Sequence, residues 1–117
     1  MPQQSLSDFV SAMEAAGMLV RSIGGLELVG EAASGEEAVR LAGELVPVLV
    51  LMDVRLPGID GVEATRQIVA NVPGIRVVLI STYDAADLPP ALRDCGAIAF
   101  LRKQDLDAEA LLALAAG

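Results

Sequence analysis

Two short apolar runs limit what this chain can fold into. Residues 48–52 (VLVLM) and 76–81 (RVVLIS) are each long enough for a strand and too short for a buried helix. Neither run alternates with polar residues, so both faces of each strand are covered, as is typical of a parallel sheet between two layers of helices. The sequence therefore predicts an α/β fold.

Amphipathic segments and further short apolar segments alternate with these runs. Ser34-Gly-Glu-Glu37 and Asp60-Gly-Val-Glu63 are capping-box patterns, in which a serine or aspartate precedes a glutamate by three residues. They predict helices over residues 34–45 and 60–72. The other predicted strands cover residues 26–32 and 97–102. The other predicted helices cover residues 84–94 and 107–116.

The N-terminal segment fits this pattern less well. Apolar residues at helical spacing predict an amphipathic helix over residues 8–23. Residues 2–6 (PQQSL) are a poor candidate for a first strand, because two glutamines do not suit a strand covered on both faces. This segment is a degenerate variant, is altered relative to its parent, or does not enter the sheet. In the last case the open strand edges favour pairing between chains and a homodimer.

Composition narrows the functional classes. A length of 117 residues suits one domain, which we expect over residues 1–117. The net charge of −8 argues against direct nucleic acid binding, because phosphate contacts need clustered basic residues. The sequence has no histidine, which excludes a histidine base, nucleophile or metal ligand. With one cysteine, no apolar stretch that suits a membrane and no secretory leader, we expect a cytoplasmic protein.

Polar residues with complementary chemistry stand where three predicted strands end. Asp53 follows residues 48–52, Ser81 ends the run RVVLIS, and Lys103 follows residues 97–102. Ligands of open α/β sheets bind outside the carboxyl ends of the strands. A carboxylate can act as a nucleophile and form an acyl phosphate. A hydroxyl, a lysine and a Mg²⁺ ion with oxygen ligands can then compensate the phosphoryl charge, so these positions suggest phosphoryl capture.

The same residues belong to longer motifs that resemble the response regulator receiver family of two-component signalling. The motifs are LVLMDVRLPGIDGVEATRQI, VVLISTYD and CGAIAFLRK, and the resemblance extends from about residue 26 to the C-terminus. The segment LISTYD is most similar to the corresponding segment in receivers of helix-turn-helix transcription regulators. The resemblance implies a flavodoxin-like, doubly wound parallel sheet of five strands in the order 2-1-3-4-5, with its first strand degenerate or missing here.

The resemblance also implies roles for individual residues. Asp53 corresponds to the phosphoacceptor of the family. Ser81 and Lys103 correspond to the hydroxyl and the amine that meet the phosphoryl group. Ser81 and Phe100 correspond to the pair of side chains that switches when the aspartate is phosphorylated.

The metal site implied by the resemblance is incomplete in this sequence. The family binds Mg²⁺, and the matching ligands here are Asp53, the backbone carbonyl of Arg55 and two acids after the first strand. Counting back from residue 26 without gaps puts the second acid at Asp8 and the first at Ser7, which has no carboxylate. The resemblance also implies that the side chains of Arg55 and Tyr83 tune the lifetime of the phosphoryl group.

Three functions follow from these residues. The first is a signalling receiver that takes a phosphoryl group from a histidine kinase onto Asp53 and switches a surface read by an output domain or a partner protein. The second is a degenerate receiver that acts as a phosphorylation-independent binding or dimerisation module. The third is a phosphatase of the haloacid-dehalogenase type. That class needs a second aspartate where this chain has Arg55, so we do not expect an enzyme.

Overall fold

Parallel strands and their connecting helices make up the described part of the chain. The structure is a computed structural model that describes residues 7–12, 26–55, 58–81 and 94–116. Within these ranges the strands are β1 (Ser7–Ala12), β2 (Leu26–Glu31), β3 (Leu49–Asp53), β4 (Arg76–Ser81) and β5 (Ala99–Arg102). The helices are α1 (Gly35–Leu45), α2 (Gly61–Asn71) and α3 (Ala108–Ala116), with a short 3-10 helix over Lys103–Asp105. The strands pair in the order β2-β1-β3-β4-β5, all parallel.

Strands β3 and β4 lie at the centre of the hydrophobic core. Their apolar residues are fully buried, and alternate residues of each strand enter two different clusters. Val50 and Met52 pack with residues of α1 and α2, whereas Leu49 and Leu51 pack with Leu111 of α3. Both faces of the two strands are therefore covered by helices, which confirms the predicted parallel α/β sheet.

Both predicted capping boxes are present. The Ser34 hydroxyl accepts a hydrogen bond from the Glu37 backbone N–H at 3.1 Å, and the Glu37 carboxylate accepts one from the Ala33 N–H at 3.2 Å. At the start of α2, Asp60 Oδ1 accepts a hydrogen bond from the Glu63 N–H at 2.8 Å. These bonds satisfy backbone donors that a helix leaves unpaired at its first turn, which explains why α1 and α2 begin where they do.

The N-terminal region differs from the prediction. Residues 7–12 (SDFVSA) form β1, so the helix predicted from residue 8 is wrong for this part of the chain. The physical reason is pairing: β1 lies between β2 and β3, whose facing edges would otherwise leave rows of unpaired backbone donors and acceptors. The rest of the predicted helix, residues 13–23, and the strand candidate at residues 2–6 lie outside the described residues.

The other predicted elements agree with the structure to within two residues at each end. The strand predicted over residues 26–32 is β2, the one over 97–102 is β5, and the helix over 107–116 is α3. The helix predicted over residues 84–94 lies outside the described residues, apart from Asp94 at its end. Among the helices that the structure describes, none is long and apolar enough to cross a membrane.

Candidate functional site

The strand register brings three of the predicted site positions to one edge of the sheet. Asp53 is the last residue of β3, and its Cα partner in β4 is Ile80. Ser81 follows and ends β4, and its own partner is Arg102, the last residue of β5. Lys103 comes next and begins the 3-10 helix. The backbone positions of Asp53, Ser81 and Lys103 are therefore at three consecutive strand ends.

Asp53 and Ser81 differ in exposure. Asp53 is partly exposed, whereas Ser81 is 4% exposed. Asp53 Oδ1 accepts a hydrogen bond from the Arg55 backbone N–H at 3.0 Å, so the chain turns directly after β3. The Val54 N–H donates to the Ile80 carbonyl at 3.1 Å and extends the β3–β4 pairing beyond Asp53. The carboxylate thus stands at a sheet edge that solvent reaches. One of these hydrogen bonds orients the carboxylate, and the other fixes the backbone that follows it.

The start of α2 packs directly against the end of β3. The Gly61 N–H donates to the Val54 carbonyl at 2.9 Å. A Cβ atom at Gly61 would overlap the Asp53 carbonyl oxygen, so glycine allows the close approach. The buried Thr65 hydroxyl donates to the Gly61 carbonyl at 2.7 Å and ties this glycine into the first turn of α2. Both ends of the β3–α2 loop, residues 54–60, are therefore anchored.

Helix α1 makes a further contact with this loop that the sequence did not predict. Glu36 Oε1 accepts a hydrogen bond from the Ile59 backbone N–H at 3.1 Å. The two residues are 23 positions apart, and no local pattern links them. The sequence gives only a weak indication that Glu36 has a role outside the helix cap. Ser34-Gly-Glu-Glu37 has two adjacent glutamates, and a capping box uses only the second.

The turn after β5 holds the backbone of Lys103. Arg102 Nε and Asp105 Oδ2 form an ion pair at 3.0 Å that spans the 3-10 helix. Phe100, the predicted switch residue, lies in β5 opposite Leu79 and packs half-buried against the core cluster on the α1 and α2 side of the sheet. Tyr83, the predicted tuning residue after β4, lies outside the described residues.

Asp8 is not at this edge of the sheet. Phe9, its neighbour in β1, pairs with Leu49 at the start of β3, whereas Asp53 ends that strand. At about 3.3 Å per residue, Asp8 and Asp53 are about 16 Å apart along the strands. Ligands of one Mg²⁺ ion lie about 2 Å from the metal, so the two carboxylates cannot share it. The structure contradicts this predicted pairing because residues 7–12, rather than 2–6, form β1.

No larger cluster of acidic groups substitutes for Asp8 in the described ranges. Among these residues, no group of three or more carboxylate or thiol side chains lies close enough together to hold a metal ion. Of the predicted ligands, Asp53 ends β3 and Arg55 follows two residues later, so a carboxylate and a backbone carbonyl are candidate oxygen donors after this strand. Together with water and phosphate oxygens, such donors suit Mg²⁺, which commonly takes one or two protein carboxylates.

Comparisons with known sequences find related proteins. The family model described as the response regulator receiver domain matches residues 7–116. Response regulator GacA of Pseudomonas protegens is 44% identical over 85 residues, which cover 73% of this chain and 40% of that protein. The transcriptional regulatory protein LiaR of Bacillus subtilis is 37% identical over 84 residues, which cover 72% of this chain and 40% of LiaR. The chain thus matches about two fifths of the length of these curated relatives.

Solved structures show the same similarity. The signal receiver domain of the response regulator NarL from Mycobacterium tuberculosis superposes with a TM-score of 0.86 at 27% identity, covering 97% of this chain and 98% of that one. The response regulator domain of Thermotoga maritima CheB superposes with a TM-score of 0.79 at 25% identity, covering 96% and 95%. The likeness therefore extends over almost the whole length of both receiver structures.

Proposed function

The chain belongs to the response regulator receiver domain family, and we propose on this basis that it is a phosphoacceptor signalling domain. A histidine kinase transfers a phosphoryl group to Asp53, and the change at the sheet edge alters a surface that an output domain or a partner protein reads. The strand register carries this proposal, because in it Asp53 ends β3, Ser81 ends β4 and Lys103 follows β5.

The proposed transfer uses the Asp53 carboxylate as nucleophile. A carboxylate oxygen forms a bond to phosphorus, the bond from phosphorus to the kinase's histidine nitrogen breaks, and its electron pair stays on that nitrogen. The Arg55 N–H orients the carboxylate through its hydrogen bond to Oδ1. The Ser81 hydroxyl then donates to a phosphoryl oxygen, and the Lys103 ammonium pairs with another.

We propose Mg²⁺ as the cofactor, held by the Asp53 carboxylate and the Arg55 backbone carbonyl. When bound, it supplies positive charge that compensates the phosphoryl oxygens. Asp8 is not among the proposed ligands, because β1 begins at the opposite end of the sheet from Asp53. Among the described residues Asp53 is the one carboxylate that we propose as a ligand, and fewer charged ligands give weaker Mg²⁺ binding.

The proposed switch links Ser81 and Phe100. Phosphoryl contact with Ser81 acts on β4, and Phe100 lies in the adjacent strand β5. Two discrete arrangements of such a pair can change the surface of β5 and α3. The side chains of Arg55 and Tyr83 are proposed to tune how long the phosphoryl group survives.

Further proposals concern the extent of the domain, its location in the cell and its partners. We propose that residues 1–117 form one receiver domain, that it works in the cytoplasm, and that it is not a multiple-turnover enzyme. The net charge of −8 supports output through a separate domain or protein rather than direct contact with nucleic acid. We keep a homodimer as a proposal only, since β1 fills the gap between β2 and β3 whose open edges were the reason to expect it.

The function is tested with beryllofluoride, a phosphoryl mimic, added with Mg²⁺ to isotopically labelled protein. Amide signals of residues 53–55, 81 and 99–102 are expected to shift at saturation in the wild type and not in Asp53→Asn. A phosphorylation-independent binding module would show no shift that depends on Asp53, and that result would overturn the proposal.

A further inference from the structure

We propose that Glu36 is a positioning residue for the β3–α2 loop. The inference rests on the proposed function, because this loop follows Asp53 and contains the proposed metal ligand, the Arg55 carbonyl. Glu36 belongs to α1, a different element, and reaches the loop at its other end through the Ile59 N–H. It would act on phosphorylation through the loop, without touching the phosphoryl group.

The backbone at Gly58 is shaped to receive the Glu36 carboxylate. Gly58 has a φ of +78°, a backbone conformation that residues other than glycine rarely adopt. A Cβ atom there would overlap Glu36 Oε1 and lie 2.7 Å from its Cδ. The missing side chain of Gly58 therefore leaves room for the carboxylate, whose oxygen also accepts the hydrogen bond of the next residue, Ile59, at 3.1 Å.

The carbonyl of Ile59 packs against the start of α1. A Cβ atom at Gly35 would overlap the Ile59 carbonyl oxygen and lie 2.6 Å from Ile59 Cγ1. The Ile59 side chain itself is partly buried against the core cluster on this face. Gly35 and Glu36 thus contact the same residue on either side of its Cα: Gly35 packs against the Ile59 carbonyl, and Glu36 accepts a hydrogen bond from the Ile59 N–H.

The two adjacent glutamates of α1 have separate tasks. Glu37 completes the capping box, because its carboxylate accepts the Ala33 N–H and its own N–H donates to Ser34. Glu36 is not part of that box, and its hydrogen bond leaves the helix altogether. Loss of Glu36 therefore leaves the α1 cap intact but removes a hydrogen bond that restrains the loop. The loop then has more conformations available, and the entropic cost of ordering the Arg55 carbonyl rises.

The expected effect follows from the size of one hydrogen bond. Glu36→Ala is expected to weaken Mg²⁺ binding and slow phosphorylation by acetyl phosphate by about threefold to tenfold. Glu36→Gln keeps an acceptor oxygen and is expected to stay close to the wild type. Glu44→Ala is the matched control: it removes a carboxylate from the same helix, but one whose partner is Arg40 of that helix.

The experiment measures three quantities on each variant: amide exchange at Ile59, Mg²⁺ affinity, and the rate of phosphorylation by acetyl phosphate. Glu36→Ala is expected to speed exchange at Ile59 by at least about threefold, while Glu36→Gln and Glu44→Ala do not. Unchanged exchange in Glu36→Ala, or a Glu36→Gln variant as impaired as Glu36→Ala, would overturn the inference.

The exchange measurement separates this inference from the proposed function. If the wild type takes no phosphoryl group, the proposed function fails, yet exchange at Ile59 still reports whether Glu36 holds the loop. If the wild type is phosphorylated and Glu36→Ala reacts at the wild-type rate with unchanged Mg²⁺ affinity, the proposed function stands and the positioning role of Glu36 is refuted.

Discussion

Replacing Gly61 by alanine perturbs the junction between β3 and α2 directly. The new Cβ would overlap the Asp53 carbonyl oxygen and would lie 2.9 Å from Val54 Cα and 3.0 Å from the Asp53 carbonyl carbon. All three atoms belong to the backbone, so no side chain can move aside. The start of α2 must shift, and the hydrogen bond from the Gly61 N–H to the Val54 carbonyl is lost or lengthened.

The cost of Gly61→Ala can be worked out from these contacts. Overpacking in a tight site costs about 1–3 kcal/mol, and loss of the hydrogen bond costs about 0.5–1.5 kcal/mol. Alanine's preference for helix offsets at most about 1 kcal/mol. The free energy of unfolding should therefore fall by about 2 kcal/mol, which for a domain of this size lowers Tm by roughly 8 °C.

Urea unfolding of Gly61→Ala and of a control, Gly43→Ala, measures this difference. Gly43 lies in α1, and a Cβ atom there would meet nothing within 4 Å. The control should therefore gain about 0.5–1 kcal/mol of stability from reduced freedom of the unfolded chain. A Gly61→Ala variant as stable as the wild type would refute the close packing of α2 on β3.

Three further predictions use the same kinds of measurement. Ser34→Ala removes the N-cap acceptor of α1 and should lower the free energy of unfolding by about 1 kcal/mol in urea; no change would contradict the capping box. Ile68→Ala opens a cavity in the core and should lower the free energy of unfolding by about 2–5 kcal/mol. Arg66 is exposed, so Arg66→Ala should change it by less than about 0.5 kcal/mol. Equal effects of the two substitutions would contradict the burial of Ile68. In a Mg²⁺ titration, Asp53→Asn should remove binding and Asp8→Asn should leave it unchanged, while a loss of binding in Asp8→Asn would show that β1 has another register.

The parts of the fold that the sequence predicted depend on local patterns. Residues 48–52 and 77–80 contain no polar side chain because both faces of β3 and β4 are buried, and each run alone indicates this burial. The boxes at Ser34 and Asp60 likewise complete themselves within one helical turn. The fold class and the positions of Asp53 and Ser81 at strand ends followed from these patterns.

The features that the sequence missed depend on contacts between distant segments. Residues 8–23 have helical spacing, but β1 is selected by the backbone groups of β2 and β3 on either side, and the local pattern contains no information on those. The error at Asp8 has the same origin, since a count without gaps assumed that the strand ends before residue 9. The hydrogen bond between Glu36 and Ile59 links segments 23 residues apart. The sequence alone does not distinguish Glu36 from Glu37, because both are glutamates in the first turn of α1.

Phosphorylation of Asp53 is the central claim, and mass spectrometry after incubation with acetyl phosphate and Mg²⁺ tests it most directly. The wild type should gain the mass of one phosphoryl group, mapped to the peptide that contains Asp53, and Asp53→Asn should gain none. A wild type that takes up no phosphoryl group at saturating acetyl phosphate, or an adduct that persists in Asp53→Asn, would contradict the account.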